Sequence, residues 1–174
     1  MNISFHKLLP HHTKQYREIR LESLRDFPDN FGSDHAQESA AEKLAFEKHI
    51  EQQTQDNFIV GAFDGEALIG ICGFARDNNK KGRHRGIIIQ MYVKPAYAGK
   101  GTGLKLLQAT IDEGFEIPGI EQLVLGVITN NSSANKIYER AGFREFGLHK
   151  NYFKDGSKYF DQRFMMLDRA ESGR

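Results

Sequence analysis

Three glycines at alternate positions, Gly99, Gly101 and Gly103, separate an apolar run from a segment with helical periodicity. At such a strand–loop–helix junction the first N–H groups of the helix have no carbonyl partner, and the helix dipole adds positive charge. Glycine has no Cβ, so a phosphate can approach the backbone closely. The pattern predicts a pyrophosphate-binding loop. Its expected ligands are the backbone N–H groups of Gly99, Lys100, Gly101, Thr102, Gly103 and Leu104. A simple strand-to-helix connection with glycine caps is the alternative.

Two well-known phosphate-binding motifs do not fit this loop. A Walker loop needs a first glycine, four intervening residues, and then Gly-Lys followed by Ser or Thr. The dinucleotide motif GxGxxG needs a third glycine where this chain has Leu104, counting from Gly99 and Gly101. The sequence therefore predicts neither a P-loop nor a dinucleotide fold.

Tyr138 is the second residue that could do chemistry. It shares one face of a predicted helix with Ala134, Ile137 and Ala141, and Gly142 stands where a C-terminal cap belongs. A buried tyrosine normally needs a partner for its hydroxyl group. Tyr138 is therefore either a core aromatic that bonds to the backbone or a proton donor in a site.

The composition excludes several classes of protein. The 174 residues carry 24 basic and 23 acidic side chains, a net charge of +1, which gives no electrostatic case for nucleic acid or an anionic membrane. The one cysteine, Cys72, allows neither an intrachain disulfide nor a cysteine-cluster metal site, and it fits a reducing cytoplasm. We find no signal-peptide pattern and no apolar run of membrane-spanning length. We expect a cytoplasmic protein with a single domain over residues 1–174.

Periodicity predicts both strands and helices along the chain. Alternating or continuous apolar runs predict seven strands, at about residues 2–9, 58–63, 67–75, 87–93, 123–128, 144–150 and 159–167. Asp64-Gly65 predicts a hairpin turn between the second and third strands. The polar, basic segment 77–86 is interpreted as a solvated turn, although its cations could also attract a phosphate.

Four helices are predicted between these strands. The first starts near Thr13 and carries Tyr16, Ile19, Ser23 and Phe27 on one face. The second follows a cap at Ser33 or Asp34, with Leu44, Ala45 and Ile50 as its apolar residues. The third starts at Thr102, with Leu104, Leu107, Ile111 and Phe115 at helical spacing. The fourth carries Tyr138.

The loop resembles the acetyl-CoA loop of the GNAT family of N-acetyltransferases. Its spacing reads V-x-P-x-Y-x-G-x-G-x-G-x-x-L-L, and Gly101 and Gly103 match the family's glycines. The family's Arg or Gln before them is Ala98 here, a departure that weakens coenzyme binding unless Lys100 substitutes.

A second pattern of the same family follows about 30 residues later. It reads Asn, two residues, Ala, three residues, Tyr, three residues, Gly-Phe, and it fits at Asn131, Ala134, Tyr138, Gly142 and Phe143. Two motifs in the right order are more specific than either alone.

The resemblance implies an α/β (α+β) fold. Its mixed, mostly antiparallel sheet would have about seven strands, flanked by about four helices and splayed between the fourth and fifth strands. It also implies acetyl-CoA as co-substrate, without a metal. Met91, Tyr92 and Val93 would offer a strand edge to the pantetheine arm, Asn131 would bond that arm, and Tyr138 would protonate the departing thiolate.

The acceptor is the least defined part of this expectation. The family's first two helices form one wall of the acceptor cleft, which here gives Phe27, Asp29 and Phe31 as candidates, with a core position for Phe31 as the alternative. Members that act on protein N-termini often carry a Glu five positions before the Asn, and that position is Gly126. We therefore expect a small-molecule amine as partner, such as an amino acid or a polyamine. A protein N-acetyltransferase and an acyl-CoA-binding module with little turnover are the alternatives, and a homodimer is left open.

The general base is not identified by the sequence. An amine arrives as ammonium and must lose a proton before it attacks. Asp29, Glu22 and His149 are candidates that nothing in the sequence separates.

Overall fold

A computed structural model describes residues 2–171 of the chain as a seven-stranded sheet between two layers of helices. The strands are β1 (Ile3–Lys7), β2 (Asn57–Asp64), β3 (Ala67–Arg76), β4 (Arg85–Val93), β5 (Gln122–Ile128), β6 (Arg144–Asp155) and β7 (Lys158–Asp168). The helices are α1 (Thr13–Asp26), α2 (His35–Ala40), α3 (Glu47–Gln52), α4 (Thr102–Glu116) and α5 (Ser132–Arg140).

The sheet has the predicted mixed character and the predicted splay. Its order is β1-β2-β3-β4-β5-β7-β6, and every neighbouring pair is antiparallel except β4 and β5. Those two strands run parallel and pair only through Arg85, Gly86 and Ile87 against Gln122, Leu123 and Val124. Beyond Ile87 they separate, so the facing edge of the second half of β4 has no strand partner.

Each face of the sheet carries its own apolar core. On one face, the buried side of α4 (Leu106, Leu107, Ile111) packs with β-strand residues and with Tyr138 of α5. On the other face, α1 and α3 contribute Tyr16 and Ile50 to a second cluster. Burial of these helical stripes holds the two layers against the sheet.

The first two predicted helices are shorter than the sequence pattern indicates. α1 ends at Asp26, and Phe27 follows it with a non-helical φ of −135° and an exposed ring. The predicted second helix is two short ones, because residues 41–46 leave the helical path. Asp34 does cap the first of them, its Oδ1 accepting the Gln37 N–H at 2.8 Å.

Arg17 explains the break between α2 and α3. Its guanidinium group donates to the carbonyl oxygens of Ala41 and Glu42 and to the carboxylate of Glu47. The same carboxylate accepts the Leu44 N–H at 2.9 Å. These bonds satisfy backbone groups that a continuous helix would otherwise have used, so a tertiary contact overrides the local periodicity.

A bulge interrupts β4 at the point where the strands separate. Ile71 of β3 pairs with Tyr92 and Gly73 pairs with Ile89, so that two residues of β4 oppose one of β3. Gln90, one of those two, has a φ of +55°. The bulge changes the direction of the β4 backbone next to the splay. Bulges are common beside active sites.

Candidate active site

The glycine loop presents an open backbone surface. Gly99 and Gly101 have φ angles of +73° and +82°, and a Cβ built on either would meet nothing within 4 Å. Gly103 differs, since a Cβ there would lie 3.0 Å from the Ile137 side chain of α5. The first two glycines therefore set the loop conformation, and the third allows α4 and α5 to approach each other.

Six consecutive N–H groups, from Gly99 to Leu104, donate to no acceptor among residues 2–171. Gly101 is the N-cap of α4, so these donors lie at the positive end of a 15-residue helix. This donor set and the open surface fit a pyrophosphate. Ala98 is exposed beside the loop, and the Lys100 ammonium donates to the Ala96 carbonyl at 3.0 Å. The structure therefore keeps a cation near the loop despite the departure at Ala98.

The splay between β4 and β5 opens into a cavity of about 600 Å³. Met91 and Gln90 of β4 line one side, and Asn131 and Tyr138 line the other. The remaining lining is contributed by α1 and the following loop (Arg20, Asn30, Phe31, Gly32, Ser33), by β4 and β5 (Arg85, Ile87, Ile88, Ile89, Val124, Leu125, Gly126, Val127, Ile128), by Ala134, and by β6 and β7 (Phe146, Phe153, Gln162, Phe164).

Tyr138 belongs to both the core and the cavity. Its ring is buried, lies edge-on to Phe143 with 6.1 Å between ring centroids, and joins the core cluster. Its hydroxyl group makes no hydrogen bond to any residue that the structure describes. Burial and, secondarily, the Cys72 thiol raise the pKa of the phenol above its ordinary value. Tyr138 is therefore a neutral O–H donor at the cavity wall.

Asn131 caps a helix, a role that its motif did not indicate. It is the N-cap of α5, and its Oδ1 accepts the Ala134 N–H at 3.1 Å. Asn135, buried one turn later, donates to the carbonyls of Ile128, Thr129 and Asn131. Together these bonds fix the junction between β5 and α5. The side-chain amide nitrogen of Asn131 donates to no acceptor among residues 2–171, and the residue lines the cavity.

The three β4 residues expected at the pantetheine arm differ in their side chains. Met91 and Val93 pack partly buried against the core on the α4 side. Tyr92 belongs to the cluster on the α1 side, and its hydroxyl group donates to Glu22 Oε1 at 2.9 Å. Only the backbone of β4 therefore provides a common edge along the splay.

The acceptor candidates separate in the structure. Phe31 lines the main cavity, whereas Asp29 lines a smaller neighbouring cavity and lies 3.9 Å from the Lys158 ammonium. Phe27 lines neither, and its ring lies 5.9 Å from that of Tyr92. The structure brings Phe31 to the site and leaves the other two at its margin.

None of the three candidate bases lines the main cavity. Glu22 is held by the Tyr92 hydroxyl and by the Lys94 ammonium at 3.1 Å. His149 lies on exposed β6, 4.9 Å from the ring of Tyr152. Among residues 2–171, no Asp, Glu or His contributes to the cavity lining.

Gln162 occupies the space beside Gly126. A Cβ built on Gly126 would lie 2.0 Å from Gln162 Nε2. Gln162 is 9% exposed and lines the cavity from β7. At the position where the sequence lacks a carboxylate, the structure therefore places a neutral amide from another strand.

A cavity between splayed parallel strands, with a loop of free N–H groups at the start of the next helix, matches the expectation from the two motifs. The family model for the acetyltransferase (GNAT) family matches residues 16–143, most of the chain. The chain belongs to the GNAT family.

Curated relatives of this GNAT chain act on different substrates. It is 27% identical to N-alpha-acetyltransferase 30 of Schizosaccharomyces pombe over 68% of this chain and 77% of that protein. It is 34% identical to the N-alpha-acetyltransferase RimI of Mycobacterium tuberculosis over 56% and 59%. The spermine/spermidine N(1)-acetyltransferase of Bacillus subtilis is 31% identical over 48% of this chain and 54% of that protein. The relatives support N-acetyl transfer and leave the acceptor open.

Solved structures share the whole fold of this GNAT protein. An acetyltransferase of the GNAT family from Streptococcus pneumoniae has a TM-score of 0.82 at 20% identity, covering 96% of this chain and 99% of that one. A putative acetyltransferase from Salmonella typhimurium, solved with acetyl-CoA, has a TM-score of 0.77 at 19% identity, covering 95% and 93%.

Sequence reasoning missed Arg20, Gln90 and Gln162 as lining residues of this GNAT site. Arg20 carried a usable signal, because it falls between Ile19 and Ser23 on the buried face of the first helix. A charged residue on such a face needs a partner or a function. Gln90 and Gln162 carried no comparable signal.

Neither a membrane-spanning helix nor a metal-binding cluster is found among residues 2–171. In residues 2–171, no helix has both the length and the apolar character needed to cross a membrane. The same residues hold no cluster of three or more His, Cys, Asp or Glu side chains suited to a metal ion.

Proposed function

We propose that this protein transfers the acetyl group of acetyl-CoA to the primary amine of a small molecule, by direct attack within a ternary complex. The observation that carries the proposal is the cavity between β4 and β5. The free edge of β4 and Tyr138 line this cavity. The six free N–H donors at the start of α4, the helix that follows β4 in the chain, add further support.

The chain's own groups can hold the coenzyme along its length. The N–H groups of Gly99 to Leu104 bind the pyrophosphate, aided by the dipole of α4. The edge of β4 from Met91 to Val93, which faces the splay, hydrogen-bonds the pantetheine arm. The Asn131 amide nitrogen donates to the same arm from the opposite wall. When bound, acetyl-CoA supplies the thioester whose acyl group is transferred.

Two donors act on the reacting atoms. A backbone N–H group of the bulged segment around Gln90 and Met91 stabilises the negative charge that develops on the thioester oxygen. The Tyr138 hydroxyl donates to the departing thiolate. The phenol is protonated at neutral pH, as a donor must be, and burial raises its pKa further above the ordinary value.

The acceptor amine has to lose its proton without a carboxylate or imidazole in the cavity wall. The amides of Gln90 and Gln162 can orient water molecules but cannot take the proton themselves. We therefore propose that the ammonium releases its proton to solvent through water in the open cavity. The rate should then rise with pH toward the pKa of the acceptor amine.

A small acceptor is favoured over a protein N-terminus by one local feature. The side chain of Gln162 fills the space at Gly126, so this position offers neither a carboxylate nor room for one. The relatives that modify protein N-termini keep peptide acetylation as the second candidate. An acyl-CoA-binding module with little turnover is a third.

Thiol release from acetyl-CoA tests all three. The purified protein is incubated with acetyl-CoA and either a pooled library of small amines or a pool of peptides with free N-termini. Release above the hydrolysis background with the small amines supports the proposal. Release only with peptides supports the second candidate, and tight acetyl-CoA binding with no release in either pool supports the third.

A further inference from the structure

Two arginines line the active-site cavity, and each has a buried nitrogen without a partner. The atoms are Nη1 of Arg20 and Nε of Arg85, and within residues 2–171 they are the only buried side-chain nitrogen or oxygen atoms that lack a hydrogen bond. A buried donor without a partner costs free energy, which a ligand recovers when it accepts the bond. Both vacant donors belong to the lining of one cavity.

Arg20 has the more complete geometry for a ligand. It is 3% exposed, and Glu38 accepts hydrogen bonds from its Nε at 3.0 Å and from its Nη2 at 2.8 Å. Glu38 does not line the cavity. The edge formed by Nε and Nη2 thus binds Glu38. The edge formed by Nη1 and Nη2 still has N–H groups free for a ligand. That edge matches the two oxygens of a carboxylate or phosphonate.

Arg85 is the weaker candidate. It lies at the closed end of the splay, where β4 and β5 still pair, and its Nη2 donates to Asp77. Its side chain is 42% exposed. An anion there would be far more hydrated than one at Arg20.

The attraction of Arg20 for an anion is directional. Glu38 already balances its charge, so the free donors rather than a net charge select the ligand. Phe31 lies 5.3 Å from the guanidinium carbon and also lines the cavity. A ligand bound to Nη1 would lie near this ring, which would shield the contact from water and strengthen it.

We propose that the acceptor amine also carries an oxyanion, a carboxylate or a phosphonate, which binds the free edge of the Arg20 guanidinium group. The inference rests on the proposed function. A polyamine carries only cations, and no carboxylate among residues 2–171 lines the cavity to receive them. A zwitterionic acceptor supplies both the amine for acetylation and the partner that Nη1 lacks.

The test compares acceptors that differ only in the anion. Thiol release from acetyl-CoA is measured with the proteinogenic amino acids, their carboxamides, 2-aminoethylphosphonate, ethylamine and spermidine. Binding is measured separately by calorimetry on the protein saturated with CoA, which lacks an acetyl group and so cannot react. The amino acids and the phosphonate distinguish the two sources of the oxyanion.

Arg20→Gln is the test variant, and Arg17→Gln is its matched control. Arg17 lies one turn earlier on α1 and also pairs with a glutamate, Glu47, but it does not line the cavity. Arg20→Lys keeps the positive charge but loses the planar pair of N–H donors that can bind two oxygens at once. Melting temperatures and acetyl-CoA affinity are measured for all three variants, so that a folding defect is separated from a lost contact.

The expected result is a preference for the oxyanion-bearing acceptor over its neutral counterpart on the order of tenfold or more, in kcat/KM and in Kd. Arg20→Gln should remove this preference, Arg20→Lys should restore part of it, and Arg17→Gln should retain it. Equal binding of acid and carboxamide by the parent, or binding of neither, overturns the inference. An Arg20→Gln protein that keeps the preference overturns it as well.

The two proposals fail in different ways. Thiol release with carboxamides or spermidine as readily as with amino acids overturns the role of Arg20 and leaves the acetyltransferase activity intact. Selective binding of the oxyanion without thiol release from any amine supports the role of Arg20 and overturns the proposed function.

Discussion

Replacing Tyr138 with phenylalanine removes one hydroxyl group and keeps the ring that packs against Phe143. Because that hydroxyl makes no hydrogen bond among residues 2–171, the change should cost little stability. A net hydrogen bond contributes about 0.5–1.5 kcal/mol, and about 1 kcal/mol shifts the melting temperature of a domain of this size by roughly 2–4 °C. We expect a shift below about 2 °C for Tyr138→Phe.

Turnover, unlike stability, should fall strongly in Tyr138→Phe. Loss of a proton donor to a leaving group lowers the rate by about a hundredfold or more, equivalent to about 2.7 kcal/mol in the activation barrier. The affinity for acetyl-CoA should be unchanged, since the contact gains its strength only as the thiolate forms. The assays are steady-state thiol release with an acceptor that the parent uses, and calorimetry with acetyl-CoA.

Tyr16→Phe is the comparison for stability. Tyr16 is also buried, but its hydroxyl group donates to Gln90 Oε1 at 2.9 Å. Its removal should lower the melting temperature by about 2–4 °C. Tyr138 does not protonate the thiolate if the Phe variant, with parental melting and parental coenzyme binding, turns over within about threefold of the parent. The thiolate would then take its proton from water or from the attacking amine.

Three further predictions concern the loop and the buried thiol. Gly101→Val should raise the Kd for acetyl-CoA more than about tenfold in calorimetry. Gly65→Val, at a φ of +61° in the β2–β3 turn, introduces similar strain away from the loop and should leave the Kd unchanged; equal effects would remove the loop assignment. Ala98→Arg should lower the KM for acetyl-CoA about fivefold, through roughly 1 kcal/mol of charge-assisted bonding; no change would mean that Lys100 already serves. Burial raises the pKa of the Cys72 thiol in the folded protein to about 12. Between pH 9 and 12 the thiol therefore ionises in the unfolded chain but not in the folded one, so the free energy of unfolding should fall over this range. Cys72→Ala should flatten this decline in urea unfolding, and an undiminished slope would contradict the assignment.

The sequence alone determined the parts of the site that are local. The loop glycines and the helix that follows them depend on φ angles, Cβ sterics and the helical period, all of which act over a few residues. α4 begins at Thr102 as predicted, and Gly99 and Gly101 have the positive φ angles that only glycine adopts freely. The motif around Tyr138 likewise predicted a helix with Gly142 just after its end.

The proposed acceptor side was not determined in this way, because it is built from elements distant along the chain. Phe27 fits the helical face by spacing, yet α1 ends one residue before it. The second helix divides because Arg17 of α1 binds the carbonyl oxygens of Ala41 and Glu42. Periodicity cannot report such a contact, which joins residues about 25 positions apart.

Only the tertiary structure decided how the cavity is charged. Gly126 by itself indicated a missing carboxylate, but Gln162 fills its space from β7, 36 residues later, because the two strands pair. Arg20 is held by Glu38 across the α1–α2 contact, which leaves one edge of its guanidinium group without a partner at the cavity. Local physics thus determined where the glycine loop lies, whereas strand pairing and helix packing decided which side chains line the cavity.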